Sequence, residues 1–536
     1  MKTLLSFPAI TVLYLFVAFL ANALRTSDFS FKLNNAKKHI IIIYINKMIR
    51  YLQIVIMLLV FCFSIQKLNA SHLAGGDITY KCFGSNQYII NLKLYRDCGG
   101  VGFGTHIVID IDGCGFDLFD TLSLDSFSEI SALCISQQNS SNCQNGSLPG
   151  FESYLFSDTV TLPAQCEDWN ISYSQCCRNG SITNLHNNQS YNFYLEAVIN
   201  NDSGICNSSP EFTQEPVWYY WPNQPIEYNL GAIDSEGDSL SYALIPVLDS
   251  TGQSVTYDSG YSYLYPMSAS DSLKIDSQTG QLSGVPDNIQ TSGIAVQVNE
   301  YLNGELIGST MRDIEFIVTG FSANYVPEIT GINGSGEFEL NACSGENICF
   351  DIPTSDSDAI DSLILNWNNA IPGAVFNTST SSRPVGEFCW TPGLNDTGTH
   401  YFVASVKDNS CHNTSTSIYA FTIHVKGVFF DVVDTFQTET CPGVEDGSIT
   451  IDVSGGSTPY QYSWSHNAQL DSSYAGDLSA GKYSVTVSDA TGCEIENDFE
   501  LQANFRAIID SSQEASCFDN PDGYIAISTV GGMPPY

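Results

Sequence analysis

"CPGVEDGSITIDVSGGSTPY", Cys441 to Tyr460, and "CFDNPDGYIAISTVGGMPPY", Cys517 to Tyr536, align without a gap. Cys441 falls on Cys517, Asp446 and Gly447 on Asp522 and Gly523, and Gly455 and Gly456 on Gly531 and Gly532. Self-similarity at a fixed spacing marks a repeat array. Within each copy apolar and polar residues alternate, as at Ile449, Ile451 and Val453, or at Ile525 and Ile527. A later run, "KYSVTVSDATGC" (Lys482 to Cys493), alternates at Tyr483, Val485 and Val487. Period two belongs to a strand with one buried face. Gly455, Gly456 and Pro459 break strands, and Trp464 offers a core anchor. The second copy stops after about a third of the first, so the chain reads as a fragment of a longer array.

Working outward, composition points the same way. Charged residues are only 14% of the chain, and Gly, Ser, Thr, Asn, Asp and Tyr abound. That is the composition of strands and turns. Acids outnumber bases 58 to 19, and beyond residue 70 the balance is 57 to 11, a net charge of −46. Such a surface repels phosphate backbones, which excludes nucleic acid as a partner. It suits an extracellular protein or one that collects cations.

Near the start, Met48-Ile49-Arg50 precedes the apolar run "YLQIVIMLLVFCFSIQKLNA", which ends at Ala70. A short basic segment, an apolar core and a small final residue describe a secretory signal. Residues 48–70 are therefore read as a signal peptide, with Ser71 as the mature N-terminus and 1–47 as an over-extended start. The alternative is a single N-terminal membrane anchor. After Ala70 no apolar run approaches the ~20 residues of a spanning helix.

Of 17 cysteines one, Cys62, lies in the signal. The remainder, in an exported chain without a C-x-x-C pair, read as disulfides rather than metal thiolates. Nine lie between Cys82 and Cys206, an odd number, and four between Cys343 and Cys411. The adjacent Cys176 and Cys177 are expected to bridge to two different strands. Cys441 and Cys493 bracket the complete repeat and are expected to pair, closing a loop whose stabilisation is roughly 4 kcal/mol. Cys517 is left without a partner.

The expected architecture is all-β: tandem antiparallel β-sandwich domains after a cysteine-rich β domain. The leader covers 1–70, the cysteine-rich domain 71–224, two sandwiches 225–319 and 320–427, the repeat 428–503, and its partial copy 504–536. In the second region "AIDSEGDSLSYAL" (Ala232 to Leu244) places Asp234, Glu236 and Asp238 two apart on one loop. In the third, "SDSDAIDSLILNW" (Ser355 to Trp367) gathers Asp356, Asp358 and Asp361 on another. Alternate carboxylates on an extended loop suit Ca²⁺, a hard cation with oxygen ligands. A solvated acidic turn is the alternative reading of both.

Several motifs carry resemblances. "LSAGKYSVTVSDATGC" (Leu478 to Cys493), with the D-G, G-G and P-Y order before it, resembles the SprB repeat of giant adhesins of gliding Bacteroidota. "SHLAGGDITYKC" (Ser71 to Cys82), "CCRNGSITNL" (Cys176 to Leu185) and "NSSPEFT" (Asn207 to Thr213) resemble the N-terminal domain of large Bacteroidota surface proteins. "LKIDSQTGQLSGVP" (Leu273 to Pro286), with the acidic loop, resembles a cadherin-like or immunoglobulin-like sandwich. These resemblances imply a secreted or cell-surface protein of adhesion or surface display, exported by type IX secretion, with an unknown glycan or protein ligand and a possible link to gliding motility.

Catalysis is not expected. Gly237 to Leu240 spells the G-D-S-L esterase block, but no late D-x-x-H block follows to supply a base. A rival reading places a secreted hydrolase in 71–224, with His72, His106 and His186 and the acids Asp77, Glu167 and Asp168. Neither H-E-x-x-H nor G-x-S-x-G marks it. A third reading gives "VWYYWP" (Val217 to Pro222) to carbohydrate stacking; the alternative is a strand that buries its rings.

Overall fold

A computed structural model describes residues 73–530 apart from positions 85, 203, 205, 321–323, 412, 432–436, 439–444, 503–505 and 520. The chain divides into units 1–69 and 70–536, and the described residues belong to the second. The leader, the signal and Cys441 lie outside them. No helix among the described residues is long and apolar enough to cross a membrane.

The fold is all-β, as composition and alternation predict. Leu73–Gly84 pairs with Gln87–Asp97, and the sheet continues through Phe151–Thr161, Phe116–Glu129, His106–Gly113, Trp169–Gln175 and Phe193–Ile199 to Glu305–Val318. Glu305–Val318 also pairs with the first strand, at Gly75↔Ile314, Gly76↔Asp313 and Asp77↔Arg312. Eight antiparallel strands thereby form a closed hydrogen-bonded ring. Ile78, Ile90, Leu92, Ile109, Phe156, Trp169 and Leu195 fill it. The glycines of "LAGGD" permit the closure. A Cβ on Gly75 would lie 2.6 Å from the Asp313 carbonyl, and one on Gly76 2.7 Å from that of Lys93.

Glu305–Val318 belongs to the second region, so the ring ignores the boundary expected at 224. The same strand pairs along its other edge with Gln290–Leu302, which pairs in turn with Ser239–Ile245. Across from these lie Ile226–Tyr228, Leu282–Pro286 and Ala269–Ile275. Tyr228, Leu273 and Leu282 meet Val296, Val298 and Phe316 to make a sandwich core. A strand shared by two cores must be buried on both faces, and residues 308–316 are buried without interruption.

The third region is a sandwich of two four-stranded sheets. One contains Ile348–Ser355 and Val385–Trp390, the other Gly398–Lys407 and Thr416–Lys426; Phe350, Phe388, Phe402 and Phe421 lie between them. In the repeat Gly447–Thr450 pairs with Tyr474–Leu478, and Gly481–Ser488 lies between Gln461–Trp464 and Glu494–Leu501. Ile449, Ile451, Trp464, Val485 and Val487 are its core, the positions that alternation picks out. Arg506–Gln513 and Tyr524–Val530 form a hairpin with Ile509, Ile525 and Ile527 exposed.

The cysteine pairing differs from expectation at two places. Cys493 bridges Cys343 in the third region, not Cys441. Its position after the strand Gly481–Ser488 faces the end of Glu339–Cys343, a proximity that only the packing of successive modules creates. Cys176 and Cys177 bridge each other rather than two strands. Inside the regions the pairs are Cys82–Cys206, Cys98–Cys143, Cys114–Cys166 and Cys349–Cys389. The cysteine of the first region left over from these pairs, Cys134, crosses to Cys411 in the third. Cys517 is free.

Candidate functional site

The acidic loop of the second region sits where ring and sandwich meet. Glu211–Phe212 pairs with Ala232–Ile233, which brings the loop at 234–238 beside Asn207 and Ser208. The Cys82–Cys206 bridge anchors this segment to the ring, and Ser208 and Ser209 hydroxyls accept the backbone N–H groups of Cys82 and Tyr80. On the far side Ser239–Ile245 pairs with Gln290–Leu302 in the register Leu240↔Glu300. That register carries Glu300 to the loop.

Glu300 is fully buried. Its Oε2 accepts from Asn207 Nδ2 at 2.8 Å, whereas its Oε1 has no donor. Asp234 Oδ1 accepts the N–H groups of Glu236 (3.0 Å) and Asp238 (2.7 Å), leaving Oδ2 buried without a donor. One carboxylate oxygen each from Asp234, Asp238 and Glu300 lie within 4.8 Å of one another. Like charges ~4 Å apart repel by about 4 kcal/mol at an effective dielectric near 20. Burial first, and then the Asp234 carboxyl beside it, push Glu300 up to about 9. Burial, Asp234 and Glu236 raise Asp238 as well.

The structure thus keeps two of the three residues expected here. Glu236 is exposed, and its carboxylate takes hydroxyl donors from Ser208 (2.8 Å) and Ser235, outside the cluster. Glu300 lies more than sixty residues downstream on a strand, and no spacing rule reaches it.

The third region repeats the plan. Asp356 and Asp361 come within 4.8 Å of Asp408, while Asp358 turns away to accept the Tyr325 N–H at 2.8 Å. Asp408 is 1% exposed; it accepts from Ser410 N, Ser415 N and, at 2.7 Å, Asn324 Nδ2. Burial pushes Asp408 up to about 6. Here a guanidinium intervenes: Arg383 donates to the carbonyls of Asp356, Asp358 and Asp361, and its charge favours ionised Asp356 and Asp361. A legible signal for both sites exists in "NSSPEF" (Asn207 to Phe212) and "NYVPEI" (Asn324 to Ile329). Each N-x-x-P-E segment supplies the asparagine that holds the buried carboxylate.

The rival sites fare differently. Trp218 and Trp221 are buried, with Trp218 stacked on Phe151 at 4.2 Å, so the "VWYYWP" rings are packing and not a sugar platform. Asp77 is buried in an ion pair with Arg312 at 2.8 Å and a hydrogen bond from Tyr95. His186 contacts Asp258 at 2.8 Å on the surface, and His106 contacts Thr105. His72 lies outside the described residues.

Among known proteins, the SprB repeat family matches residues 434–469. No curated protein matches the sequence. Among solved structures, the N-terminal eight immunoglobulin domains of Down syndrome cell adhesion molecule align with 80% of this chain and 64% of theirs, at 9% identity and a TM-score of 0.22. A three-domain titin fragment aligns over 55% of this chain and 99% of its own, at 12% identity and a TM-score of 0.19. An endo-fucoidan hydrolase of glycoside hydrolase family 107 aligns at 14% identity and a TM-score of 0.16; the chain covers 57% of itself and 39% of that enzyme. Likenesses at this level say nothing about activity.

Proposed function

We propose that this chain is a secreted, cell-surface protein that displays a covalently strapped series of β modules for adhesion. The observation that carries the reading is the pair of bridges between modules, Cys134–Cys411 and Cys343–Cys493. Disulfides persist in oxidising compartments, and bridges between modules preserve spacing when a surface protein is pulled. The SprB match at 434–469 supports a surface location. Export by type IX secretion and a part in gliding extend the reading through resemblance alone.

Antibody labelling of intact cells, compared with lysed cells, tests location. Equal labelling is expected, and labelling only after lysis overturns the proposal. For adhesion, the purified chain is offered to glycan and extracellular-protein arrays. Saturable retention is expected; hydrolysis of an arrayed glycan would favour the enzyme reading instead.

A further inference from the structure

Glu300 poses a problem that the fold does not solve by itself. A fully buried carboxylate lies within reach of two others and leaves one oxygen, Oε1, without a donor. Asp234 faces it with a second donorless buried oxygen, Oδ2. Among the described residues no ion pair reaches Asp234, Asp238 or Glu300. Buried polar atoms are almost always satisfied, and buried charges are paired or bind metals.

We propose that Asp234, Asp238 and Glu300 bind one hard divalent cation of the Ca²⁺ type at the junction of the ring and the second-region sandwich. The donor set is all oxygen, which excludes soft metals. Oxygens within 4.8 Å of one another fit around an ion whose bonds are 2.3–2.6 Å long, and Ca²⁺ tolerates the irregular shell that two loop acids and one strand acid impose. Mg²⁺ demands a near-ideal octahedron and gives up water reluctantly. The rest of the site is already oriented. Asn207 holds Glu300 by its other oxygen, and the two loop N–H groups hold Asp234 by its other oxygen, which leaves Glu300 Oε1 and Asp234 Oδ2 free for an ion. Asn207 comes from the segment tied to the ring, Glu300 from a strand paired with the shared strand Glu305–Val318, and Asp234 from the loop between them. A cation there crosslinks three separate segments at the joint of two cores. The inference is independent of what the surface adheres to.

The test uses the full chain, stripped with chelator and titrated with CaCl₂ by calorimetry, with melting followed in parallel. One saturable site is expected, with a rise in melting temperature of roughly 5–10 °C at a hundredfold excess over Kd. Mg²⁺ at equal concentration should give a smaller rise. Glu300→Gln keeps the shape and removes the charge. It should weaken Ca²⁺ binding at least tenfold, yet melt higher than the parent in chelator, because the amide donates to Asp234 where the parent needs a cation or a proton. Asp361→Asn, in the other acidic cluster, should leave the titration unchanged. Should Glu300→Gln fail to fold, the half-buried Asp238→Asn carries the same test and should also lose the Ca²⁺ response. Identical melts in calcium and chelator, parental affinity in both Glu300→Gln and Asp238→Asn, or loss of binding in Asp361→Asn would each overturn the proposal; the first would mean that a proton, not a cation, quiets the pair.

Discussion

In the second region Glu300 meets Asp234 and Asp238 with no basic side chain paired to them among the described residues; in the third, Asp408 meets Asp356 and Asp361 beside Arg383. The frames match closely. Each buried acid is held by the asparagine of an N-x-x-P-E segment, Asn207 or Asn324. Each lies near a long-range bridge: Cys206 precedes Asn207, and Cys411 sits in the loop after Asp408. What differs is the source of positive charge. The third region supplies its own guanidinium, and Asp408 has donors on both oxygens. The second supplies none among the described residues and leaves Glu300 Oε1 and Asp234 Oδ2 bare, where the third leaves one carboxylate oxygen of its cluster bare, Asp356 Oδ2. Similar acidic loops therefore imply different needs, and the deciding residue in each case lies outside the loop.

The largest effect should come from the bridges that frame both sites. Cys134→Ser with Cys411→Ser releases a crosslink spanning 277 residues, worth up to about 5 kcal/mol by loop entropy alone. The third region should then melt separately and earlier than the ring, a split visible by calorimetry. A single unchanged transition would show that noncovalent packing already joins them.

Arg383→Met removes the charge that distinguishes the two clusters. Three loop carbonyls lose their donor and the acids a nearby positive charge, so the third region should lose about 2–3 kcal/mol in chelator. Because the variant now resembles the second region, Ca²⁺ should restore part of that loss. A loss that calcium does not touch would mean that Arg383 acts through hydrogen bonds rather than charge.

Asp408 provides a pH signature. Its folded carboxyl is pushed up to about 6, so the folded state holds a proton that the unfolded state releases near pH 3.9. Stability contributed by this group is complete below about pH 3.9, declines as pH rises to about 6, and is level above, a change on the order of 3 kcal/mol. Asp408→Asn should lower the baseline by misplacing an amide against Asn324 while removing this group's share of the slope. Melting curves of parent and variant between pH 4 and 7 read both, and a slope unchanged by the substitution would assign it wholly to other groups.

The smallest effects belong to the middle acids of the two loops. Glu236→Gln and Asp358→Asn should each change stability by less than about 1 kcal/mol, since both face hydroxyl or backbone donors away from the clusters. Neither should alter a calcium titration. A large change at Glu236 would return that residue to the cation shell and dismantle the contrast between the regions.

Local pattern alone determined a good deal here. Period-two alternation identifies Ile449, Ile451, Val485 and Val487 as core positions because in a strand the side chain's face follows from its parity. Composition determined the all-β class, and the odd count of nine cysteines between Cys82 and Cys206 shows that one has no partner within the first region, though not where its partner lies. The acidic loops at Asp234 and Asp356 were legible for the same reason: their carboxylates are neighbours in the chain. Tertiary structure alone decided the rest. The sheet takes Glu305–Val318 from one region to close the ring of another, since pairing depends on which edges meet and not on order in sequence. Cys493 bridges Cys343 because module packing, not spacing, sets their distance. Glu300 became the centre of the candidate site through a strand register that seats it beside Asp234, and a register is a property of two strands that neither one's sequence contains.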